Sequence, residues 1–585
     1  MNDAADRRQL PGMRGGVSTD GEESDSRPAS HPLRMEGSRK IAASQVQGRV
    51  GIAILAACLV YGLIVVRLVQ FGFTAPGAAI ARLQDQSILA RRPNLVDRNG
   101  VILATDINTA SLYAEPRRIV EVDETIEQLT AVLPDLDTKE TWNRLKSNAG
   151  FVWLKRELTP TQQTRILALG LPGIGFRTET RRFYPKGETA AHIIGHVDID
   201  NEGIAGIEKR IDDRGLRALR SAGLTAGKEL EPVKLAIDIR VQHFLRDELA
   251  KGIDRFHAIA GAGVILDVDT GEVVAMASLP DYDPNRPVDA LLPDRLNRVT
   301  AGAYEMGSTF KTFTTAMALD SGKVKLSDSF DASKPLRIAG FTIQDFHGKN
   351  RVLTVPEIYV HSSNIGAARM ADVIGVEGHR EFLHRLGLLD RLEFDLPEIA
   401  VPSEPTQWKK IHSVTISFGH GATTTIMQTA TAAAALVNGG KLIPPTLFPR
   451  SSEDAEKVAR VVVQPSTSMA MRQLLRLNVT SGSGKRAEVT GYRVGGKTGT
   501  AEKVVDGRYS SEKRFNAFLA AFPIDAPRYV VLVTLDEPKP EKAGMGATAG
   551  INAALVVGEV IRRSATLLGV APLFDDLPSK LLISH

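Results

Sequence analysis

A serine three residues ahead of a lysine can form a nucleophile–base pair, because positions i and i+3 share one face of a helix. This chain has that spacing at Ser308-Thr-Phe-Lys311, inside Tyr304-Glu-Met-Gly-Ser-Thr-Phe-Lys. Gly307 ends a loop and Thr309 to Leu319 reads as a helix, which puts Ser308 at a helix N-terminus. Backbone N–H groups there stabilise developing negative charge. A lysine buried in an apolar pocket loses its charge and can take the serine proton. A second motif, Ser362-Ser-Asn364, follows a predicted helix from Val355 to His361. A hydroxyl there could relay a proton between the lysine and a leaving amine, and an amide could hold a substrate carbonyl. The third, Lys497-Thr-Gly-Thr500, reads as a strand. It would bring Lys497 beside the nucleophile and turn the Thr498 and Thr500 hydroxyls toward a carboxylate, with Gly499 permitting close backbone approach. Each motif alone is weak: Ser510-Ser-Glu-Lys513 repeats the Ser-x-x-Lys spacing in a polar stretch that reads as a solvated loop. The three in this order form the combination expected of a serine acyl transferase.

Two rival chemistries are weighed against it. Gly491-Tyr-Arg-Val-Gly-Gly-Lys-Thr498 also fits a phosphate loop. Such a loop must open a helix after its Lys-Thr, whereas Gly499 and the segment to Gly507 look like strand and turn. The twelve histidines contain no His-Glu-x-x-His, and the pair His192 and His196, which could face one way on a helix, has no convincing third ligand. A structural role is expected for them, and neither metal nor cofactor. Lys and Arg total 72 against 68 Asp and Glu, a balance that excludes a strongly basic nucleic-acid binder. The single cysteine, Cys58, excludes an intrachain disulfide framework.

The elements that must position these motifs fall into segments. Residues 1–48 are polar, without apolar periodicity, and read as a disordered cytoplasmic tail. Gly51 to Val66 carries no charge, and 49–73 is expected to be a retained transmembrane anchor if Arg67 snorkels to an interface. Arg34, Arg39, Lys40 and Arg49 precede it, so the rest of the chain is expected outside the cytoplasm. In 74–230, Val101–Ala104 and Ser111–Ala114 read as short strands, and Thr159-Pro160 opens a helix. From 231 to 570 the texture changes. Val233–Asp238 is a strand candidate, Val241–Ile253 is helical, and Gly263–Val268 with Glu272–Ala277 forms a hairpin. Val530–Leu535 is a strong strand, Ala549–Arg562 a closing helix, and 571–585 a tail. Strands at both ends with helices between them suggest an α+β or α/β catalytic domain.

With these motifs in place the sequence resembles the class B penicillin-binding proteins, the monofunctional peptidoglycan transpeptidases, from about residue 49 to 565. Arg92-Pro-Asn-Leu-Val-Asp-Arg-Asn-Gly-Val-Ile-Leu-Ala104, Arg182-Phe-Tyr-Pro185, His192-Ile-Ile-Gly195 and Gly206-Ile-Glu208 look like the family's N-terminal motifs. Ser417-Phe-Gly-His-Gly421, with Thr425 and Gln428, matches a segment lining its active site. Tyr304-Glu-Met-Gly-Ser resembles the division-specific FtsI type. Met306 stands where the family usually has Pro, and Leu555 where Ala-Pro is common.

The resemblance implies an α+β fold: one transmembrane helix, an elongated β-rich pedestal of the dimerisation-domain kind, and a transpeptidase domain with an antiparallel sheet flanked by helices. It implies that Ser308 attacks the penultimate D-Ala of a stem peptide with Lys311 as base. Ser362 would relay the proton, Asn364 orient the peptide and Lys497 supply positive potential. Thr498 and Thr500 would bind the terminal carboxylate, and the backbone N–H groups of Ser308 and Thr500 would form the oxyanion hole. Expected partners are stem peptides, β-lactams and membrane proteins of the division machinery, including a lipid II polymerase. The alternatives are an elongation-type transpeptidase, a carboxypeptidase or β-lactamase-like hydrolase, and a catalytically weak division scaffold.

Overall fold

The computed structural model describes residues 55–66, 92–221, 230–505, 507–542 and 544–574, in two units, Met1–Leu83 and Gln84–His585. In the first unit, residues 55–66 are helical and exposed, Cys58 included. Among the described residues no helix is long and apolar enough to cross a membrane. The expected tail at 1–48 and the anchor positions 49–54 and 67–73 lie outside the described residues.

The second unit begins with β1 (Leu95–Val96) and β2 (Ile102–Ala114). The sequence suggested two short strands in place of β2. The polar stretch between them, Thr105 to Ala110, stays in the ladder because β4 (Ile174–Phe183) pairs with β2 from Thr105↔Phe183 to Ala114↔Ile174. Continuous backbone pairing carries a segment whose side chains lack a strand pattern. Three helices, α1 (Val122–Val132), α2 (Thr138–Leu145) and α3 (Pro160–Ala168), join this sheet and β3 (Val152–Leu158) around Leu112, Leu129, Leu145, Leu154 and Ile166. The region is therefore mixed rather than simply β-rich. As expected, Thr159 caps α3, in a reciprocal box with Gln162.

The pedestal closes on a buried charge network. Two short helices follow β4, α4 (Ala191–Ile194) and α5 (Gly206–Ile211), and α5 carries Glu208. Arg92 Nε donates to Glu208 at 2.8 Å and its Nη1 to Asp212 at 2.9 Å, while Arg182 donates to Glu208 at 2.7 Å and to Asp106 at 3.0 Å. Both guanidiniums have no exposed side-chain surface. His192 and His196 do not share a helix, since α4 ends at Ile194. Both rings stand edge-on to Tyr282, and His192 Nε2 donates to the Arg295 carbonyl. Burial lowers the His192 pKa to about 4, so it is a neutral packing residue.

The strand candidate Val233–Asp238 is strand only at β5 (Val233–Lys234), which pairs in parallel with β1. The remainder is turned by Asp238, which caps α6 (Ile239–Phe256). Asp97, fully buried in the Arg92–Ala104 segment, accepts from the N–H groups of Asn99, Val101 and Ile239. The pedestal's first loop is thus fastened to the first helix of the catalytic domain.

That domain is built on a five-stranded sheet. Its strands are β6 (Ala260–Asp267), β7 (Val273–Leu279), β8 (Gly495–Val505), β9 (Arg508–Phe522) and β10 (Tyr529–Asp536), in the order β8-β9-β10-β6-β7 with every neighbour antiparallel. β10 is apolar from Tyr529 to Val533 and buried along its whole length because both its faces are covered. Val530 and Leu532 face one core, and Val531, Val533 and Leu535 the other. The second core is closed by α6 and by α7 (Ala553–Ser564), the expected closing helix, which starts four residues later than its sequence pattern suggested. Leu555 is partly buried against that core. Ser510–Lys513, read as a loop, lies within β9: Ser510 pairs with Lys503, and 511–513 form the bulge before Arg514 pairs with Glu502.

Candidate active site

The predicted helix at 309–319 begins as a 3-10 turn, Gly307–Phe310, and becomes α-helical at Lys311–Asp320. Ser308 sits on that turn and Lys311 is the first residue of the α-helix. Phe310 and Phe313 anchor the element, both buried and in edge-to-face contact. Ser362 ends the helix Val355–His361 in a left-handed conformation (φ 56°, ψ 45°), and Ser363 caps the helix Asn364–Ile374. The tight link between these helices aims Ser362 and Asn364 at the lysine. β8 supplies Lys497, Thr498, Gly499 and Thr500. No helix follows Lys497-Thr498, which removes the phosphate-loop reading.

The fold converges on Lys311. Its Nζ lies 3.1 Å from Ser308 Oγ, 2.5 Å from the Ser362 carbonyl, 3.1 Å from Ser362 Oγ and 2.7 Å from Asn364 Oδ1. An ammonium has three hydrogens for these four oxygens. A neutral amine has two, plus a lone pair able to accept the serine proton. Burial, and then the charge of Lys497, push the Lys311 pKa well below the ordinary lysine value. Lys497 is also fully buried, and burial lowers its pKa to about 7. Its Nζ donates to Ser362 Oγ at 3.0 Å, so Ser362 stands between two amines with its own hydrogen free to turn into the cleft.

Thr498 Oγ1 is 2.6 Å from Ser483 Oγ, and Thr500 Oγ1 accepts from Ala549 N–H at 3.2 Å. The turn carrying Ser308 crosses β8 at backbone contact: a Cβ on Gly307 would lie 2.9 Å from the Thr500 carbonyl oxygen, and one on Gly499 2.5 Å from that of Met306. Replacing Gly499 by Ala is therefore expected to part the strand from Ser308. Acylation of Ser308 by a fluorescent penicillin should slow about 100-fold, the scale of a 1 Å misplacement. A rate within threefold of native, timed on gels, would show that the contact has slack.

A cleft of about 600 Å³ opens over these groups and includes Ser308, Ser362, Asn364, Thr498 and Thr500 in its wall. Phe418 and His420 of Ser417–Gly421 line it too. Three residues not singled out from sequence complete the surroundings: Ser483, Glu305 and Tyr509. Glu305 accepts from Gly421 N–H at 2.8 Å and from the Tyr509 hydroxyl at 3.1 Å, and lies 3.4 Å from His420 Nδ1. Burial and the Glu305 carboxylate hold the Tyr509 phenol above its usual range. Glu305 was within reach of sequence reasoning, as a charge inside the nucleophile motif; Ser483 and Tyr509 carry no local signal. Met306 packs its side chain into the core below the turn. Among the described residues no group of three or more metal-ligating side chains occurs.

Comparison with known proteins gives the same frame. The family model described as the penicillin binding protein transpeptidase domain matches residues 261–556, and that of the penicillin-binding protein dimerisation domain matches 87–223. The chain is 40% identical over 495 residues to a probable peptidoglycan D,D-transpeptidase FtsI of Caulobacter vibrioides, covering 83% of this chain and 82% of the relative. It is 30% identical over 513 residues to the peptidoglycan D,D-transpeptidase FtsI of Escherichia coli K12, covering 82% and 85%. A crystal structure of penicillin binding protein 3 from Mycobacterium tuberculosis, complexed with aztreonam, superposes with a TM-score of 0.64 at 22% identity. It covers 83% of this chain and 98% of that one, a likeness of fold.

Proposed function

Because this chain belongs to the class B penicillin-binding proteins of the FtsI type, we propose that it is a serine D,D-transpeptidase that cross-links stem peptides of septal peptidoglycan and is a target of β-lactams. The observation that carries this reading is the buried Lys311 amine within hydrogen-bond distance of Ser308, Ser362 and Asn364 together.

Neutral Lys311 takes the Ser308 proton as Oγ adds to the carbonyl of the penultimate D-Ala. The backbone N–H groups of Ser308 and Thr500 receive the oxyanion, where one such donor contributes about 3 kcal/mol. Ser362, fed by Lys311, passes the proton to the amine of the terminal D-Ala, which departs and leaves an ester on Ser308. The amine of a second stem then attacks the ester, forms the cross-link and returns the proton to the serine. Asn364 orients the donor peptide. Thr498 and Thr500 hold its terminal carboxylate, and protonated Lys497 supplies the compensating charge. A β-lactam acylates Ser308 by the same first step, but its amine stays tethered and the ester persists.

The segment 49–73 anchors the chain in the plasma membrane, with the tail in the cytoplasm and the catalytic domain outside. The charge-free run from Gly51 to Val66 and the basic residues before it support this. The pedestal lifts the catalytic domain and meets membrane proteins of the division machinery, a lipid II polymerase among them. Intact-protein mass spectrometry of the full chain in detergent, after benzylpenicillin, tests the chemistry. A stable adduct equal to the whole drug is expected, and none on Ser308→Ala. A folded native chain without adduct would remove the transpeptidase reading, and rapid adduct loss would turn it toward a hydrolase.

A further inference from the structure

Gly307, next to Ser308, is gripped by the segment Ser417–Gly421 as well as by β8. Its N–H donates to the Gly419 carbonyl at 3.3 Å, and a Cβ on Gly419 would lie 2.0 Å from the Gly307 carbonyl oxygen. His420 is thereby set beside the turn that carries Ser308, and its ring lines the same cleft. Phe418 and Tyr509 pack on that ring, with centroids 5.7 and 5.2 Å away. His347 and His361 line the cleft too, but of the three only His420 has a carboxylate in ion-pair contact among the described residues.

That carboxylate belongs to Glu305, and it is held in place. Its Oε1 accepts from Gly421 N–H and from the Tyr509 hydroxyl. Its Oε2 is buried without a hydrogen bond, 3.4 Å from His420 Nδ1. A carboxylate facing Nδ1 favours the tautomer with its hydrogen there, which leaves the Nε2 lone pair free. Nε2 has no partner among the described residues. Neither His420 nor Glu305 is needed for acylation, which Lys311 and Ser362 serve.

The second half of the reaction makes a demand that this relay does not meet. An alkylamine acceptor reaches the site as an ammonium. Ester plus ammonium gives amide, serine hydroxyl and one free proton. The proton that moves from the attacking nitrogen to Ser308 Oγ can retrace the route through Lys311 and Ser362. The surplus proton has to leave earlier, because the nitrogen has no lone pair until it goes. Lys497 does not take it, since it stays protonated to balance the donor carboxylate. We propose that His420, oriented by Glu305, is the base that removes the surplus proton from the acceptor ammonium and releases it to solvent. An N–H bond of the ammonium breaks, an Nε2–H bond forms, and the Glu305 carboxylate balances the imidazolium. His420 is then a catalytic residue and Glu305 a positioning residue. This rests on the reading of the site as a D,D-transpeptidase.

Two stem-peptide acceptors of the same shape test it. One ends in an alkylammonium, and the other in an aminooxy group, which is a free base at neutral pH. The readout is the second-order rate of amide formation from each acceptor and the acyl-enzyme of a thioester donor. The full-length chain in detergent is used, with benzylpenicillin acylation measured on the same preparation. His420→Gln should slow the ammonium acceptor about 100-fold more than the aminooxy acceptor, the worth of a general base. Glu305→Gln should change the same ratio about tenfold, because a ring without its carboxylate holds a proton less well. A merely structural loss would slow both acceptors alike. If the native chain uses both acceptors and His420→Gln leaves their ratio within about threefold of native, the base is overturned and the transpeptidase reading stands. A native chain that makes no amide with either acceptor, or is not acylated at all, would overturn both.

Discussion

Lys311→Met should lower the second-order rate of Ser308 acylation by benzylpenicillin about 10³-fold, the usual worth of a general base. Methionine matches the lysine stem in length and its apolar body suits a site with no solvent access, so folding should survive. What disappears is the lone pair 3.1 Å from Ser308 Oγ and the donor that bridges to Ser362 and Asn364. The native rate should rise with pH as Lys311 sheds its proton. That limb lies well below ordinary lysine titration because burial and Lys497 disfavour the charged form. In Lys497→Gln the limb should move to higher pH, since the neighbouring positive charge is gone. The two amines share Ser362, so the native profile reports the pair and not either lysine alone. Stopped-flow acylation from pH 5 to 10 reads all of this. A Lys311→Met rate within tenfold of native would assign the base elsewhere.

The second large effect is on stability. Arg92→Met should destabilise the pedestal by about 3–5 kcal/mol, because it leaves a buried carboxylate without its counter-charge. Glu208 would keep Arg182, but Asp212 would lose both guanidinium contacts, and the carbonyls of Asn201 and Glu208 would each lose the guanidinium donor. Arg92→Lys should recover little, since one ammonium cannot serve two carboxylates and two carbonyls at once. Denaturant unfolding followed by circular dichroism should place the first transition at clearly lower denaturant in both variants. An unchanged midpoint for Arg92→Met would mean that water reaches and compensates the acids.

The sequence by itself pointed to the chemistry proposed for this protein. Ser308, Lys311, Ser362, Asn364 and Lys497 could be named because a serine nucleophile needs a base, a relay and a carboxylate anchor, and each left a short local pattern. The sheet was readable where burial is two-sided, as in Val530–Leu535, and the helices where a cap announces them, as at Thr159-Pro160. Local patterns failed where long-range pairing decided the conformation. β2 bridges a polar gap because β4 lies beside it, and Ser510 joins β9 because Lys503 of β8 is there to pair with it. Val233–Asp238 breaks after two residues because Asp238 is drawn off to cap a helix.

Only the tertiary structure decided which groups share a neighbour. Glu305 and Tyr509 are 204 positions apart, and Ser483 meets Thr498 across 15. The pairing of Arg92 with Glu208 spans 116 positions, and that with Asp212 spans 120. No periodicity reports contacts of that kind, because they depend on how whole elements pack.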